Sequence, residues 1–316
     1  MVQLQQPLAE LMQSLKTLGL MPFETDGKSV VISKFGCARF AAVLFIQICT
    51  YSSLLRQTLQ WHKFDTRTLG QIATFFSLTC TYAAIFGTVH QLVSTKQRAR
   101  LSKFICALDS CLKVFPFSST ATSVFRYAHI KLQIIILILF TISYFKVSYD
   151  CFIKREYFIL TYGANCWFSQ FYLAYLTVPF LCFLNVIEQN LKSMNRSICK
   201  AHAPNEVAKF VRVYDRLSFA VEQLNRFYGF TLLCCINAEF LNIINSLFYA
   251  ITNGVWYTSD LYRDLVNFAT SMSNASCIYS LAKSCDSVAN KVSTILYHLG
   301  RKRHECVNSF HLKPLI

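Results

Sequence analysis

Residues 131–146 read KLQIIILILFTISYFK, in which two lysines enclose fourteen residues without a single charge. Aliphatic and aromatic side chains fill most of this run, so a helix formed by it would be apolar on every face. A helix that crosses a bilayer core of about 30 Å needs roughly 20 residues. We therefore expect a transmembrane helix that continues to Tyr149, with the Lys146 side chain reaching towards the membrane surface.

Five other windows of the sequence have the same low charge. They lie at 39–56, 67–96, 156–188, 227–251 and 264–283, and the last of them is the most polar. In the whole chain 54% of the residues are hydrophobic and 15% are charged, which is more apolar surface than one soluble core would bury. The predicted fold class is therefore all-α: a polytopic transmembrane helix bundle with six spans and cytoplasmic helical extensions.

Lysine and arginine alternate between abundant and scarce in the loops that separate these windows. The N-terminal segment, the loops after the second and fourth windows and the C-terminal tail hold 24 of them, whereas the other loops hold 6. Because basic loops stay in the cytoplasm, both termini are expected on the cytoplasmic side of the plasma membrane. A G-protein-coupled receptor, whose N-terminus lies outside, does not fit this orientation.

The orientation also divides the chain into segments. We expect a cytoplasmic segment at 1–36, a membrane bundle at 37–283 that includes a cytoplasmic helical loop at 187–226, and a cytoplasmic helix and tail at 284–316. The net charge of +15 then lies next to anionic membrane lipid. Membrane lipid is therefore an expected partner, and nucleic acid is not.

Apolar residues at helical spacing continue beyond the windows. Residues 188–226 contain two such stretches, separated by a turn and helix start at Pro204, and residues 285–299 (CDSVANKVSTILYHL) contain another. These stretches predict a packed helical bundle below the membrane, formed within one chain or between subunits. Residues 8–18 carry leucines with amphipathic spacing, which fits either a packed terminal helix or one that lies on the membrane.

No pattern of catalytic residues is present. The chain lacks a phosphate-binding loop, a Gly-rich dinucleotide turn and GxSxG, and its seven histidines are scattered. Its 14 cysteines contain no CxxC pair, and most lie in the windows or on the cytoplasmic side. We predict no enzyme activity, no cofactor, no metal site and no disulfide framework. Cys199 and Cys285 are idle thiols or palmitoylation sites at the inner membrane face.

Three stretches together resemble the insect gustatory receptors, which belong to the seven-span insect chemoreceptor superfamily. Residues 18–23 (LGLMPF) are similar to a short "GLxPF" element before the first span of that family. The basic loop at 187–226 has the family's size and helical character. Residues 285–299 and the following VNSFHLKPL at 307–315 resemble the stretch after the family's sixth span. The resemblance covers essentially the whole chain, although each motif is loose.

The resemblance implies a taste receptor for small-molecule tastants that acts as a subunit of a ligand-gated cation channel. In the family, four like or unlike subunits assemble, and their seventh helices surround the ion pathway. The sequence stops at Ile316 without the Thr-Tyr and Gln-Phe signature of that span. We therefore expect a truncated form, a splice form, a gene-model error or a pseudogene product. The alternatives are a non-conducting partner, a decayed receptor or another polytopic carrier.

The resemblance also implies a ligand pocket in the outer half of the middle spans. Aromatic and directed polar side chains are expected there, because they suit a small organic ligand. The candidate residues are Tyr144, Tyr162, Trp167, Gln170, Phe171, Asn245, Phe248, Tyr249, Asn267 and Ser271. Each aromatic residue has an alternative interpretation as packing or as an anchor at the membrane interface.

Glu239 is the most unusual residue in any of the windows. A carboxylate near the middle of a span costs about 3 kcal/mol to insert, so it faces a cavity, a partner or water. We interpret Glu239 as a gating residue or as a structural one that hydrogen-bonds Asn237, Asn242 or a neighbouring helix. Two glycosylation sequons, at Asn195 and Asn274, lie in the cytoplasmic loop and in the sixth window, so neither is expected to carry a glycan.

Overall fold

The computed structural model describes residues 6–17, 23–25, 30–32, 68–115, 157–200, 204–252 and 261–311, with single residues at 38, 41, 42, 45, 48, 49, 52, 135, 138, 141, 142, 149 and 153. Helices dominate the described residues, which confirms the all-α prediction. The elements are α1 (Gln6–Thr17), β1 (Phe23–Thr25), β2 (Val30–Ile32), α2 (Thr68–Val93), α3 (Thr95–Val114), α4 (Tyr157–Cys199), α5 (Pro204–Thr252) and α6 (Leu261–His311).

Four of the six predicted spans lie in described helices. The window at 67–96 corresponds to α2, 156–188 to the first part of α4, 227–251 to the second half of α5, and 264–283 to the first half of α6. The windows at 39–56 and 131–146 lie outside the described residues, apart from single helical positions. Among the residues that the structure describes, one stretch, Asn205–Ile244, has the length and apolar composition needed to cross a membrane.

Large apolar side chains point outwards from these helices. Phe86 on α2 is 71% exposed, and Phe230 and Leu233 on α5 are 64% and 59% exposed. Isolated positions of the first and third windows, including Phe45 and Ile142, are exposed as well. Soluble proteins avoid contiguous apolar surfaces of this kind, so the surface suits contact with lipid tails or with another helix.

The predicted helical extensions of the fourth and fifth windows are confirmed. α4 continues through Pro179 to Cys199, and α5 begins at Pro204 and continues without interruption to Thr252. Proline is favoured as the first residue of a helix because its missing N–H would have no partner there. Only four residues separate the two helices, which pack against each other, so α5 runs opposite to α4. α6 packs on both and runs in the direction of α4.

We call α1, α3 and residues 180–199, 204–228 and 284–311 the lower bundle, and α2 with residues 157–179, 229–252 and 261–283 the upper bundle. Contacts within one chain form a core in the lower bundle. Phe104 of α3 and Phe183 of α4, both fully buried, meet edge to face with their centroids 5.0 Å apart. Phe115 stacks on Phe210 of α5 at 5.4 Å.

Residues predicted from helical spacing form much of this core. On α5, Phe210, Leu217 and Leu224 are buried, and on α6 Ile295 is fully buried. Val211, which belongs to the same predicted stripe, is exposed. α1 buries Leu8, Leu11, Met12 and Leu15 in the same core and contacts α4. Its apolar stripe is therefore packed against the bundle, as the first of the two interpretations predicts.

Two elements near the lower bundle were not predicted from the sequence. α3 follows α2 after the single residue Ser94, whose hydroxyl caps the new helix by accepting a hydrogen bond from the Gln97 N–H. β1 and β2 form an antiparallel hairpin in which Phe23 pairs with Ile32. The buried Phe23 ring packs edge to face on Phe227 of α5, with centroids 6.0 Å apart. The last residue of the LGLMPF stretch thus attaches the hairpin to the bundle.

Candidate functional site

The predicted ligand residues gather at one end of the upper bundle. Since α4 and α6 run one way and α5 the other, the first half of α4, the last turns of α5 and the first turns of α6 share this end. Nine of the ten candidates lie there by backbone position: Tyr162, Trp167, Gln170 and Phe171 on α4, Asn245, Phe248 and Tyr249 on α5, and Asn267 and Ser271 on α6. Tyr144 lies outside the described residues.

The side chains of this set are described for Ser271 alone, which is half-buried in α6. The pocket therefore stays a prediction. Its location is supported by topology, because residues more than 100 positions apart in sequence come to one end of three packed helices. A pocket between helices of a bundle is a common place for a small ligand.

Glu239 is the centre of a second polar group, one that side-chain contacts define. It lies in α5 with 4% of its surface exposed and hydrogen-bonds Asn242, which is one of the partners considered from the sequence. Asn237, the other candidate partner on α5, is exposed. The Asn242 side-chain oxygen accepts a hydrogen bond of 2.6 Å from the Ser77 hydroxyl of α2, which also lies 3.1 Å from the Ala238 carbonyl oxygen.

A further polar link between the same helices lies about four turns away on α2. Gln91 donates from Nε2 to the Thr231 hydroxyl at 2.9 Å and also to the Phe227 carbonyl oxygen of α5. Gly87, one turn before Gln91, faces Thr231 so closely that a Cβ atom there would lie 2.7 Å from the Thr231 Oγ1. Small and polar residues at such a contact are typical of helices that pack inside a membrane.

A cluster of cysteine residues lies beside Glu239 in the upper bundle. Cys235 lies one turn before Glu239 and close enough to interact electrostatically with it, with Cys80 of α2 and with Cys277 of α6. Within the described part of the chain, no three Cys, His, Asp or Glu side chains are placed to hold a metal ion. The thiols pack as small, weakly polar groups at the junction of three helices.

An ion cluster connects α4 and α6 in the lower bundle. The Glu188 carboxylate lies 2.8 Å from Lys291 Nζ on α6 and 3.0 Å from Lys192 Nζ one turn along its own helix. Partial burial raises the pKa of Glu188, but hydrogen bonds from Lys291 and Lys192 and their positive charges outweigh that effect. The pKa of Glu188 is therefore below its ordinary value. The cluster joins two helices that both continue from the lower bundle into the upper one.

The net pKa shift of a thiol in the same bundle has the opposite direction, because burial outweighs the other contributions there. Cys111 of α3 is fully buried beside the Val213 carbonyl oxygen of α5, 3.8 Å from its sulfur. Loss of hydration raises the pKa of Cys111 to about 11. The thiol is thus uncharged at neutral pH, and it packs as a core residue with little nucleophilic reactivity.

Several residues of these groups were not predicted from the sequence. Ser77, Gln91 and Thr231 each lie buried in a helix of the upper bundle, and so does Ser273 of α6. Polar residues inside apolar windows are a signal in their own right, because inside a membrane they must find partners on neighbouring helices. Glu239 was selected in this way, and Asn242 was named as a possible partner.

Residues 11–313 match a family model described as 7tm Chemosensory receptor. The match covers nearly the whole chain and spans every described helix from α2 to α6. No curated protein matches the chain.

Proposed function

Because this chain belongs to the 7tm chemosensory receptor family, and is therefore a membrane protein with a helical bundle fold, we propose that it is a taste receptor for small organic molecules. It acts as one subunit of a ligand-gated cation channel in the plasma membrane. The receptor class comes from the family, which is a family of receptors and not of enzymes. The taste assignment comes from the motifs at 18–23 and 285–315.

The family match over residues 11–313 carries this proposal. The ligand binds at the end of the upper bundle where the first half of α4 meets the last turns of α5 and the first turns of α6. Aromatic residues and few charges at this end favour an apolar, bitter-type ligand over a sugar. Both termini lie in the cytoplasm, which places the pocket end outside the cell. The functional unit is a tetramer of like or unlike subunits.

Calcium imaging of cells that express the chain, alone and together with a second receptor subunit, tests the proposal. We expect apolar, bitter-type compounds to evoke a calcium rise and sugars to evoke none. A response that needs the second subunit would identify the chain as a partner that does not conduct alone. Surface expression without a response to any compound in either setting would contradict the proposal.

Two substitutions test the pocket with a matched control. Trp167→Ala and Gln170→Ala, both on α4, should raise the half-maximal ligand concentration about tenfold each, which corresponds to about 1.4 kcal/mol of binding free energy. Phe240→Ala is the control, because this aromatic residue is 56% exposed and lies outside the predicted pocket. Equal effects of the three substitutions would place the ligand elsewhere.

Glu239 is proposed to take part in gating. Its carboxyl group is connected through Asn242 to Ser77, so a movement of α5 relative to α2 changes its surroundings. Glu239→Gln keeps the shape and hydrogen-bonding capacity but removes the ionisable group. A Glu239→Gln receptor that reaches the surface and responds with unchanged amplitude and ligand sensitivity would show that the residue is only structural.

A further inference from the structure

Two buried polar atoms of the upper bundle have no hydrogen-bond partner among the described residues. They are Oε2 of Glu239 on α5 and Oγ of Ser273 on α6. Both side chains are more than nine-tenths buried, with 4% and 1% of their surfaces exposed. A buried polar atom without a partner costs about 1–3 kcal/mol. Two of them on neighbouring helices therefore point to a polar molecule that binds both.

The positions of Cys235 and Cys277 show where Glu239 and Ser273 lie relative to each other on α5 and α6. Cys235 and Cys277 are both buried where α5 and α6 pack on each other, and they lie within electrostatic range of each other, so they mark the facing sides of the two helices. α5 and α6 run in opposite directions, and four residues of an α-helix advance about 6 Å on one face. Glu239 lies four residues after Cys235, and Ser273 lies four residues before Cys277. Both are thus one turn above the thiols, on the facing sides of the two helices.

We propose that one water molecule binds between Glu239 and Ser273. Among the described residues, no Lys, Arg or His forms an ion pair with Glu239. An unpaired carboxylate inside a membrane is costly, so Glu239 keeps its proton. Its Oε2–H donates to the water, and the water donates to the Ser273 Oγ. Asn242 forms its hydrogen bond with the other carboxyl oxygen.

The donor set favours water over a metal cation. Cations such as Mg²⁺ and Ca²⁺ take about six or more oxygen ligands, whereas Glu239 and Ser273 supply two. The neighbouring thiols are soft ligands that do not suit hard cations. A buried water molecule needs two to four polar partners, which is the number available here.

The water would complete a polar chain across three helices. Ser77 of α2 donates to Asn242, Asn242 is hydrogen-bonded to Glu239, and the water connects Glu239 to Ser273 of α6. A water-filled contact can separate and re-form at little cost, because the water keeps both partners satisfied. The α5–α6 contact is accordingly the adjustable one, and the direct Ser77–Asn242 contact holds α2 to α5.

Infrared spectroscopy of the purified full chain in lipid nanodiscs tests the proposal, because it detects protonated carboxyl groups and ordered water separately. We expect a carbonyl-stretch band of a protonated carboxylic acid that Glu239→Gln removes. In wild-type protein transferred to water enriched in heavy oxygen, the O–H stretch of one strongly hydrogen-bonded water should shift. Ser273→Ala should abolish that water signal and move the carboxyl band to a higher wavenumber.

Ser280→Ala on the same helix is the control and should leave both signals unchanged. An ionised Glu239, seen as the absence of any band that Glu239→Gln removes, would overturn the proposal. So would a carboxyl band that ignores Ser273→Ala together with the absence of an isotope-sensitive water stretch. If Glu239→Gln does not fold, the comparison of wild type with Ser273→Ala in heavy-oxygen water still decides between these outcomes.

Discussion

Substitution of Gly87 by alanine tests how closely α2 and α5 pack. The added methyl group would lie 2.7 Å from Thr231 Oγ1 and 3.3 Å from Phe230 Cδ1. Thr231 cannot move away freely, because it is 1% exposed and accepts a hydrogen bond from Gln91. The substitution must therefore displace the Thr231 hydroxyl or push the two helices apart.

The magnitude follows from three opposing contributions. Overpacking of a buried contact costs about 1–3 kcal/mol. Loss of the Gln91–Thr231 hydrogen bond costs about 1 kcal/mol. The higher helix propensity of alanine returns about 1 kcal/mol. The expected net loss in the free energy of unfolding is roughly 1–3 kcal/mol.

Two other helical glycines are matched controls. A Cβ atom at Gly300 of α6 would meet no atom within 4 Å, so Gly300→Ala should stabilise the protein by about 1 kcal/mol. At Gly229 of α5 the added methyl would lie 2.8 Å from the Asn225 side-chain oxygen. Asn225 is exposed and can rotate away, so Gly229→Ala should lie between the other two substitutions.

Thermal unfolding in detergent, followed with a fluorogenic thiol reagent, provides the assay. Cys111, Cys182 and Cys235 are buried and become reactive only when the bundle opens. Thr231→Ala removes the contacted hydroxyl, so Gly87→Ala combined with Thr231→Ala should cost less than the sum of the single substitutions. A Gly87→Ala protein as stable as Gly300→Ala, or strict additivity of the pair, would refute the close contact.

Three further predictions concern charge, packing and accessibility. Glu188→Gln should lower the stability of the protein at neutral pH. Because the pKa of Glu188 is lowered in the folded protein, the stability that its ionised carboxylate contributes should be lost, and the difference from wild type should shrink, as the pH falls below the ordinary carboxyl range. Unfolding midpoints across a pH series measure this difference, and a constant difference would contradict the prediction. Ile295→Ala, at a fully buried position, should cost about 2–5 kcal/mol, whereas Leu296→Ala, at a position that is 49% exposed, should stay within about 0.5 kcal/mol in the same unfolding assay. Asn274 is 1% exposed within α6 and should carry no glycan. Endoglycosidase treatment of the protein from eukaryotic cells should therefore leave its electrophoretic mobility unchanged. A mobility shift that Asn274→Gln abolishes would show that α6 exposes this residue.

Helices with continuous apolar periodicity could be predicted from the sequence. The stripe through Phe210, Leu217 and Leu224 correctly placed a helix below the fifth window, because burial of one face imposes a period of 3.6 residues. α3 carries the same signal, with Leu101, Phe104, Ile105, Leu108 and Leu112 buried, but its many basic residues led to its interpretation as a loop. Charged residues on the exposed face of a helix do not weaken a buried stripe on the other.

Contacts between distant residues could not be predicted in the same way. The Ser77–Asn242 hydrogen bond joins residues 165 positions apart, and no local pattern specifies such a pair. The hairpin of β1 and β2 has three residues in each strand, too few for alternation to stand out. Glu239 was recognised because a carboxyl group in an apolar helix is rare, whereas the serines that accompany it are common in helices of all kinds.

The unbroken length of α5 has a mechanical consequence. Its 49 residues contain no proline after Pro204, and they form a rod about 74 Å long, more than twice the thickness of a bilayer core. Each degree by which such a rod tilts about one end displaces its other end by about 1.3 Å. A tilt of α5 about its end near Phe248 would therefore displace the opposite end, where Phe210 stacks on Phe115 just after α3. Its length and continuity give α5 the geometry of a lever arm.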